Sequence, residues 1–465
     1  MRASFRGNPK MTICAYVQES YAKSTYKNEC MASRQFSGLS VILDCLARAG
    51  YTVDFATRAT VHTYDIVLVS LTADCDWWPY VRERLSWQRG NYKVLVGGAG
   101  VLHVEPFLPW FYAAMLGRGE NLIVPLVKSI ERGDRYVSDS ILYADEFSPD
   151  RVWHIAQTER PYEHVVKLVA GVDFAESQIG CNHKCLFCGY TWHRKFSSDY
   201  AYYRMDAGLF AGMADKERAM LDLDKDPTCI NWSKLRTTAI DGFSERLRFG
   251  VNKRITRAIM QNFLRAMLAS DAAPHQLKLY NICGYPSETE EDWFEFLDEL
   301  QGADRTAPLQ NKQWSIVLHC TPFRPMPATP MACAPMSKRN YRGVFGQTLG
   351  PGLRGNLIYQ GRALWAVEGM GVDSLATVML SALAHRGAAS DSEYIAKLCS
   401  SRKFWTASAL IKENTLARFF DMDKLFGAFT PQTLPSRYLR TYANIEKMWG
   451  QTPLELAARK GGDAT

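Results

Sequence analysis

The sequence predicts an α/β chain of more than one unit, and three observations predict it. Short apolar runs alternate with stretches of helical spacing over residues 12–132. A second series of strand ends, turns and helix starts fills residues 165–335. Beyond residue 336 the apolar spacing is mainly helical. A chain of 465 residues has room for about two to four such units, each with its own core.

The first unit opens with an apolar strand at residues 12–17. Residues 35–49 repeat apolar side chains at the spacing of one helix face and stop at Gly50. Residues 51–55 alternate, as a half-buried strand does. The run from Ile66 to Leu71 is apolar almost throughout, the mark of a parallel strand covered on both faces. A helix is expected from Trp77. A strand at 93–96 then runs into Gly97, Gly98 and Gly100, and one at 113–116 runs through Gly117 and Gly119 into another helix. This repetition reads as a doubly wound α/β domain over 1–132. Residues 133–164 are polar, carry Pro149 and Pro161, and read as a linker. Residues 165–335 read as the central unit. Residues 336–465 read as a basic, mainly helical C-terminal domain. It opens with Gly343, Gly346, Gly350, Gly352 and Gly355 and has amphipathic spacing at 374–385 and 392–412.

A hydrophobic content of 47% with 22% charged residues suits a globular protein. No eighteen consecutive residues are apolar, so no membrane span is expected. The basic start has no apolar core and does not read as a secretory signal. The twelve cysteines are scattered, which suits reduced thiols in a cytoplasmic compartment. The net charge of +7 is uneven: residues 336–465 hold 17 Lys and Arg against 10 Asp and Glu, and the rest is balanced. A polyanionic partner would explain that excess, and so would a solvated surface. Lys403, Trp405, Arg437, Tyr438, Arg440 and Tyr442 interleave base and aromatic as a nucleic-acid contact does. Core aromatics beside solvated arginines give the same pattern.

The chemistry centres on Cys181, Cys185 and Cys188, spaced C-x3-C-x2-C just after an extended apolar run. Cysteine thiolates hold iron–sulfur clusters, usually four at a time, and three leave one iron open to substrate. With His183 the same cysteines would make a Cys3His zinc site. Cys185 and Cys188 alone would make a redox dithiol, and Phe187 between them could be core. The spacing resembles the signature of the radical SAM superfamily. That resemblance implies a [4Fe–4S] cluster on the three cysteines, with S-adenosylmethionine (SAM) chelated at the open iron. It implies one-electron cleavage of SAM to a 5′-deoxyadenosyl radical. Phe187 stands where the family has an aromatic residue against the SAM adenine.

Three later landmarks follow in family order. Residues 239–248 read A-I-D-G-F-S-E-R-L-R. An acid, a hydroxyl and a guanidinium after a strand end suit a zwitterion with a ribose diol. The stretch resembles the family's G-I-E-S-G-S-E-R. This implies SAM contacts for Asp241, Ser244, Glu245 and Arg248, with Gly242 in place of the first serine. Ser244 also reads as a helix N-cap with Glu245 at the helix dipole. Residues 277–292 resemble G-L-P-x-E-T-x-x-D, which implies that Ile282 and Gly284 lie along the adenine. Residues 319–330 resemble the final-strand T-P-F-x-P-x-P-x-T-P. Together they imply a partial (β/α) radical SAM barrel over 165–335. For the segment that holds the SAM ammonium, Leu221-Asp222-Leu223-Asp224 is the nearest counterpart. Cys283 and Cys320 read as core thiols.

The glycine turns at 97–100 and 117–119 resemble those of the cobalamin-binding-type (flavodoxin or B12-binding-like) domain that precedes some radical SAM cores. Its D-x-H-x-x-G motif is missing: no histidine lies between Glu19 and Gly38. The resemblance therefore implies a scaffold or substrate platform rather than bound cobalamin. It also implies an electron donor of flavodoxin or ferredoxin type. The function expected is hydrogen abstraction that drives rearrangement or modification of a substrate. With the basic C-terminal region, that substrate is a nucleotide or a nucleobase in DNA or RNA, as for phage-type isomerases of hypermodified thymidine. Cobalamin-dependent methyl transfer and a metal-stapled nucleic-acid-binding protein without catalysis are the two other readings.

Overall fold

A computed structural model describes residues 11–18, 37–148, 151, 153–167, 173–176, 178–181, 184–194, 197–198, 237–271, 276–286, 288–308, 314–332, 334–336, 357–370 and 375–400. The expected α/β class is what it has. Strands β1 (Ile13–Tyr16), β2 (Val53–Ala56), β3 (Ile66–Ser70), β4 (Lys93–Gly97), β5 (Ala113–Met115) and β6 (Ile141–Tyr143) form one sheet in the order β2-β1-β3-β4-β5-β6. The first five are parallel and β6 runs antiparallel to β5. Helices α1 (Ser37–Arg48), α2 (Trp77–Arg84) and α3 (Ile123–Glu131) connect them.

The strand period of two builds a core on each face. Ile13, Ala15, Ile66 and Leu68 pack with Leu46 of α1 and Leu126 of α3. Cys14, Tyr16, Val67 and Val69 pack on the other side with Trp77, Tyr80 and Val81 of α2. Here Trp77 stacks on Phe107 with ring centroids 4.3 Å apart, and its Nε1–H donates to the Gly100 carbonyl at 2.8 Å.

The glycines after β4 serve this packing. Gly98 has φ +107°, and a Cβ there would lie 2.4 Å from the Leu71 carbonyl oxygen. A Cβ on Gly100 would lie 2.3 Å from the Ala73 oxygen. Gly98→Ala adds both strain and a clash with backbone, which has no flexible end to move aside. It is expected to destabilise the first unit by about 1–3 kcal/mol or more. Denaturation of the variant checks this, and an unchanged midpoint would refute it.

Two boundaries move. The expected linker holds β6, because Ile141, Leu142 and Tyr143 are apolar enough to close the sheet edge. Ala156 bridges to Gly117, and Tyr162 donates to Asp44 at 2.7 Å. The boundary at 335/336 also dissolves, as the second sheet makes clear.

Short ladders pair β7 (Val166–Lys167) with β8 (Asp173–Phe174), and β9 (Gln178–Ile179) with β10 (Ser197–Ser198). Helix α4 (Gly189–Trp192) lies between β9 and β10 in sequence. The second sheet contains β11 (Thr237–Ala239), β12 (Gln276–Cys283), β13 (Trp314–Pro322), β14 (Leu357–Tyr359) and β15 (Leu364–Met370). Its order is β11-β12-β13-β15-β14, parallel except for the β14 edge. Among the described residues it is open rather than closed into a barrel. Helices α5 (Glu245–Gly250), α6 (Arg257–Ala269) and α7 (Glu290–Thr306) follow β11 and β12. Leu277 and Leu279 of β12 and Ile316 and Leu318 of β13 pack against Met260 and Phe263 of α6 and Phe296 and Leu300 of α7.

Residues 357–370 thus belong to the central sheet. Helices α8 (Leu375–Arg386) and α9 (Ser392–Ser400) instead join the first unit's core, through Leu380, Leu383, Ile395 and Leu398. The apolar faces seen in the sequence at 374–385 and from 392 are used there. Among the described residues, no helix is long and apolar enough to cross a membrane.

Candidate functional site

The cysteine loop leaves β9 through Gly180, whose φ is +63°. It then docks at the carboxyl ends of the parallel strands β11, β12 and β13, where open α/β sheets hold their ligands. The Leu186 N–H donates to the Val251 carbonyl at 2.9 Å, and Asn252 Nδ2 donates to the Lys184 carbonyl at 2.9 Å. The Met331 N–H reaches the Leu186 carbonyl at 3.3 Å. Within the loop, Trp192 Nε1–H donates to the Cys185 carbonyl at 2.8 Å. His193 Nε2 lies 2.6 Å from the Pro327 carbonyl, and burial pushes the imidazole down to about 3, so it is the neutral ring that donates there. Five hydrogen bonds, from the turn after α5, the segment after β13 and α4, therefore fix the backbone that carries the thiols.

Cys181 and Cys185 are buried, Cys188 is half-buried, and all three are free thiols. Burial above all pushes the Cys185 thiol up, to about 12; Lys253 pulls it down, while Cys188, Asp241 and Cys181 push it further up. The three cysteines, Asp241 and Lys253 therefore share one electrostatic neighbourhood. Among the described residues, no three His, Cys, Asp or Glu side chains are already closed into a metal centre. The donor set, three thiols on one loop beside a cation, has the chemistry that a thiolate-bound cluster requires. His183, needed for the zinc alternative, lies outside the described residues.

A thiol at about 12 carries roughly a thousandfold less thiolate at pH 8 than one at the ordinary 9.0. Alkylation of Cys185 by iodoacetamide in metal-free protein is therefore expected to be at least ~100-fold slower than that of glutathione. Lys253→Met should slow it further, because a nearby cation favours the thiolate. Peptide mapping by mass spectrometry measures both; rapid alkylation of Cys185 at pH 8 would contradict this site.

Asp241 follows β11 at once and takes φ +53°, rare for a residue with a side chain. Its carboxylate Oδ2 lies 2.8 Å from Lys253 Nζ, with both side chains 15% exposed. Its carbonyl accepts from the Tyr285 hydroxyl at 2.9 Å. Burial works against the Lys253 ammonium, but Asp241 and Cys185 more than offset it and hold its affinity for the proton above the usual value. Phe187 is half-buried and lies with its ring centroid 6.4 Å from that of Tyr285. It shares an apolar cluster with Ile282, Leu247, Val251 and Phe323. Gly284, at φ +79°, makes the turn after β12 and donates its N–H to Glu288 Oε2 at 2.8 Å.

Phe187, Asp241, Ile282 and Gly284 thus gather at the cysteine loop. Ser244, Glu245 and Arg248 do not. Ser244 is the N-cap of α5, accepting from the Leu247 N–H at 3.3 Å, and its hydroxyl donates to Asp292 of α7. The Glu245 carboxylate accepts the Arg257 N–H at the start of α6. Arg248 is fully buried: it pairs with Glu299 at 2.7 Å and donates to the carbonyls of Phe243 and Ile255. Where SAM contacts are expected of these three side chains, the structure shows bonds within the scaffold. Their polar atoms are what tie the short helix α5 to its neighbours.

Lys253 and Tyr285 escaped sequence reasoning, because a lone lysine after a helix carries no motif. The strand alternation did hold one more signal. Lys278, Tyr280 and Ile282 lie on the half-buried face of β12, with His319 beside Tyr280 at 5.2 Å between ring centroids.

Cobalamin does not fit the first unit. Its glycine turns are filled by the chain's own backbone, Gly117 lying against Ala156 as Gly98 does against Leu71. The loops after β3 and β4 are covered by the end of α8. His385 Nε2 lies 3.3 Å from Asp74 there, and His103 Nε2 lies 2.9 Å from the Gly387 carbonyl. Leu221 to Asp224, and the basic and aromatic residues from Lys403 to Tyr442, lie outside the described residues. In comparisons with known proteins, no family model and no curated protein matches the chain.

Proposed function

We propose that this chain is a radical SAM enzyme. The observation that carries the reading is the docking of the C-x3-C-x2-C loop on the carboxyl ends of β11–β13, with Asp241, Phe187 and Ile282 brought to it. Cys181, Cys185 and Cys188 would hold a [4Fe–4S] cluster. With SAM bound, such a cluster supplies one-electron cleavage and hydrogen abstraction from an unactivated C–H bond.

The chain's own residues bind, orient and exclude water. Phe187, Ile282 and Tyr285 form an apolar shelf on which an adenine can lie. The Asp241 carboxylate accepts from an ammonium or a diol, and its bond to Lys253 holds it in place. Lys253 sets one positive charge beside Cys185 and Cys188, where it would limit the repulsion between thiolates. The half-buried face with Tyr280 and His319 lies on the side of the sheet away from α6 and α7 and suits the substrate. An electron donor of flavodoxin or ferredoxin type would complete the system. The basic C-terminal region is the part that would hold a nucleotide or nucleic acid.

Anaerobic reconstitution with iron and sulfide tests the reading. The expected result is about four irons per chain and 5′-deoxyadenosine formed from SAM on reduction. Tight stoichiometric zinc in place of iron, with no cleavage of SAM, would instead promote the metal-stapled binding protein.

A further inference from the structure

We propose that Arg194, with Arg118, forms an anion-binding subsite beside the cysteine loop that takes a phosphate or carboxylate group of the substrate. The inference rests on the cysteine loop being the reaction centre. It starts from two arginines that meet where the two units join. Arg118 leaves the carboxyl end of β5 in the first sheet, and Arg194 follows α4, six residues after Cys188. Interfaces of this kind are frequent ligand sites.

Their bonding is unequal. Arg118 is clasped by Glu176 in a two-pronged pair and by Glu120 as well. Glu176 also accepts the Tyr162 N–H at 2.8 Å; both glutamates bond directly to Arg118 and act on Arg194 only at longer range. The Nε–H of Arg118 is buried and donates to nothing among the described residues. Arg194 is half-buried, and no carboxylate lies within ion-pairing distance of it among the described residues. Its guanidinium stands 4.7 Å over the ring of Tyr190, a side chain at 44% exposure on the rim. Burial and the nearby Arg118 both lower its hold on the proton, while Tyr190, Glu176 and Cys188 raise it.

A guanidinium taken partly out of water without an anion is costly, and a ligand anion relieves that cost. The planar fork of arginine matches phosphate and carboxylate two bonds at a time. The proximity to Cys188 sets the anionic end of the substrate next to the loop that holds the cluster, so the subsite would fix which C–H bond faces it.

The test uses the full chain and needs no turnover. Inorganic phosphate and succinate are titrated separately by calorimetry into wild type, Arg194→Gln, Arg194→Lys and, as a control, Arg132→Gln. Arg132 is 63% exposed and pairs with Asp134 on the surface. The expected result is saturable binding of at least one anion. That binding should weaken about tenfold or more in Arg194→Gln, less in Arg194→Lys, and not at all in the control. The preferred anion assigns a phosphate or a carboxylate substrate. Unaltered affinity in Arg194→Gln, or no binding of either anion by wild type, overturns the subsite. S-adenosylhomocysteine is titrated alongside; a loss of its binding in Arg194→Gln would place the SAM carboxylate at Arg194 and overturn the substrate assignment. Iron content of the wild type is measured separately, so failure of the cluster reading is seen independently. If Arg194→Gln loses its fold by circular dichroism, Arg194→Lys decides by the same comparison.

Discussion

Cys185→Ala is expected to reduce iron retention and 5′-deoxyadenosine formation to background. Cys185 is buried at the centre of the loop, with Cys181, Cys188, Asp241 and Lys253 as its electrostatic neighbours. Removing a group that only supports a metal ligand costs about 10–100-fold in affinity, so removing a ligand should cost more than ~100-fold. Cys283→Ala and Cys320→Ala are the controls. Both thiols are buried in the second core on β12 and β13, on the helix-packed face. They should lose some stability and keep full iron content. Iron and sulfide analysis with product chromatography reads the outcome. A Cys185→Ala chain that holds a complete cluster and cleaves SAM would sink the assignment. Because ligation requires thiolates and burial holds Cys185 protonated, loading should improve as the pH of reconstitution is raised from 7 toward 8.5.

Glu299→Ala is expected to be the most destabilising single change in the second unit, by about 3–5 kcal/mol. Arg248 and Glu299 are both wholly buried and pair at 2.7 Å. Deleting the carboxylate leaves a guanidinium with only carbonyl partners inside an apolar core. The double variant Arg248→Met with Glu299→Leu should recover most of the loss, since a buried pair is often replaceable by apolar side chains of similar volume. Denaturant unfolding of all three proteins measures it. The same double variant separates two roles for Arg248. A folded double variant that binds SAM normally agrees with the scaffold role, and a folded one that has lost SAM binding would restore the contact expected from the sequence. A Glu299→Ala loss below about 1 kcal/mol would contradict the view of the pair as a load on the core.

The sheet of the first unit was legible because it follows from local rules. A strand covered on both faces needs an apolar run, and Ile66 to Leu71 is one. The glycines after β4 were legible as a turn, yet their purpose was not. Whether Gly98 makes room for a ligand or for the Leu71 carbonyl depends on what lies 2.4 Å away, and that is set by a strand 27 positions earlier. The linker was misread for a similar reason. Residues 141–143 are too short to stand out, and they form a strand only because β5 offers an open edge.

At the site, the three cysteines were marked by spacing alone, since neighbouring residues on one loop need no help from the fold to come together. Ser244, Glu245 and Arg248 sit in an order of acid, hydroxyl and base that suits a polar ligand equally well as a helix start. Direction decided between the two, and direction is a tertiary property: α7 brings Asp292 and Glu299 to these side chains and takes their hydrogen bonds. Lys253 had no pattern to reveal it, and only the return of the chain after α5 sets it against Asp241.

The chain by itself determined the α/β class, the grouping of the three cysteines on one loop and the apolar faces of the helices, because each depends on residues near one another in sequence. Only the tertiary structure decided which polar side chains face the loop and which hold the scaffold. It also decided that residues 357–370 complete the second sheet while α8 and α9 cover the first. The physical reason is that hydrophobic burial says how much surface must be covered but not by which segment, whereas hydrogen bonds and ion pairs require particular partners at particular distances.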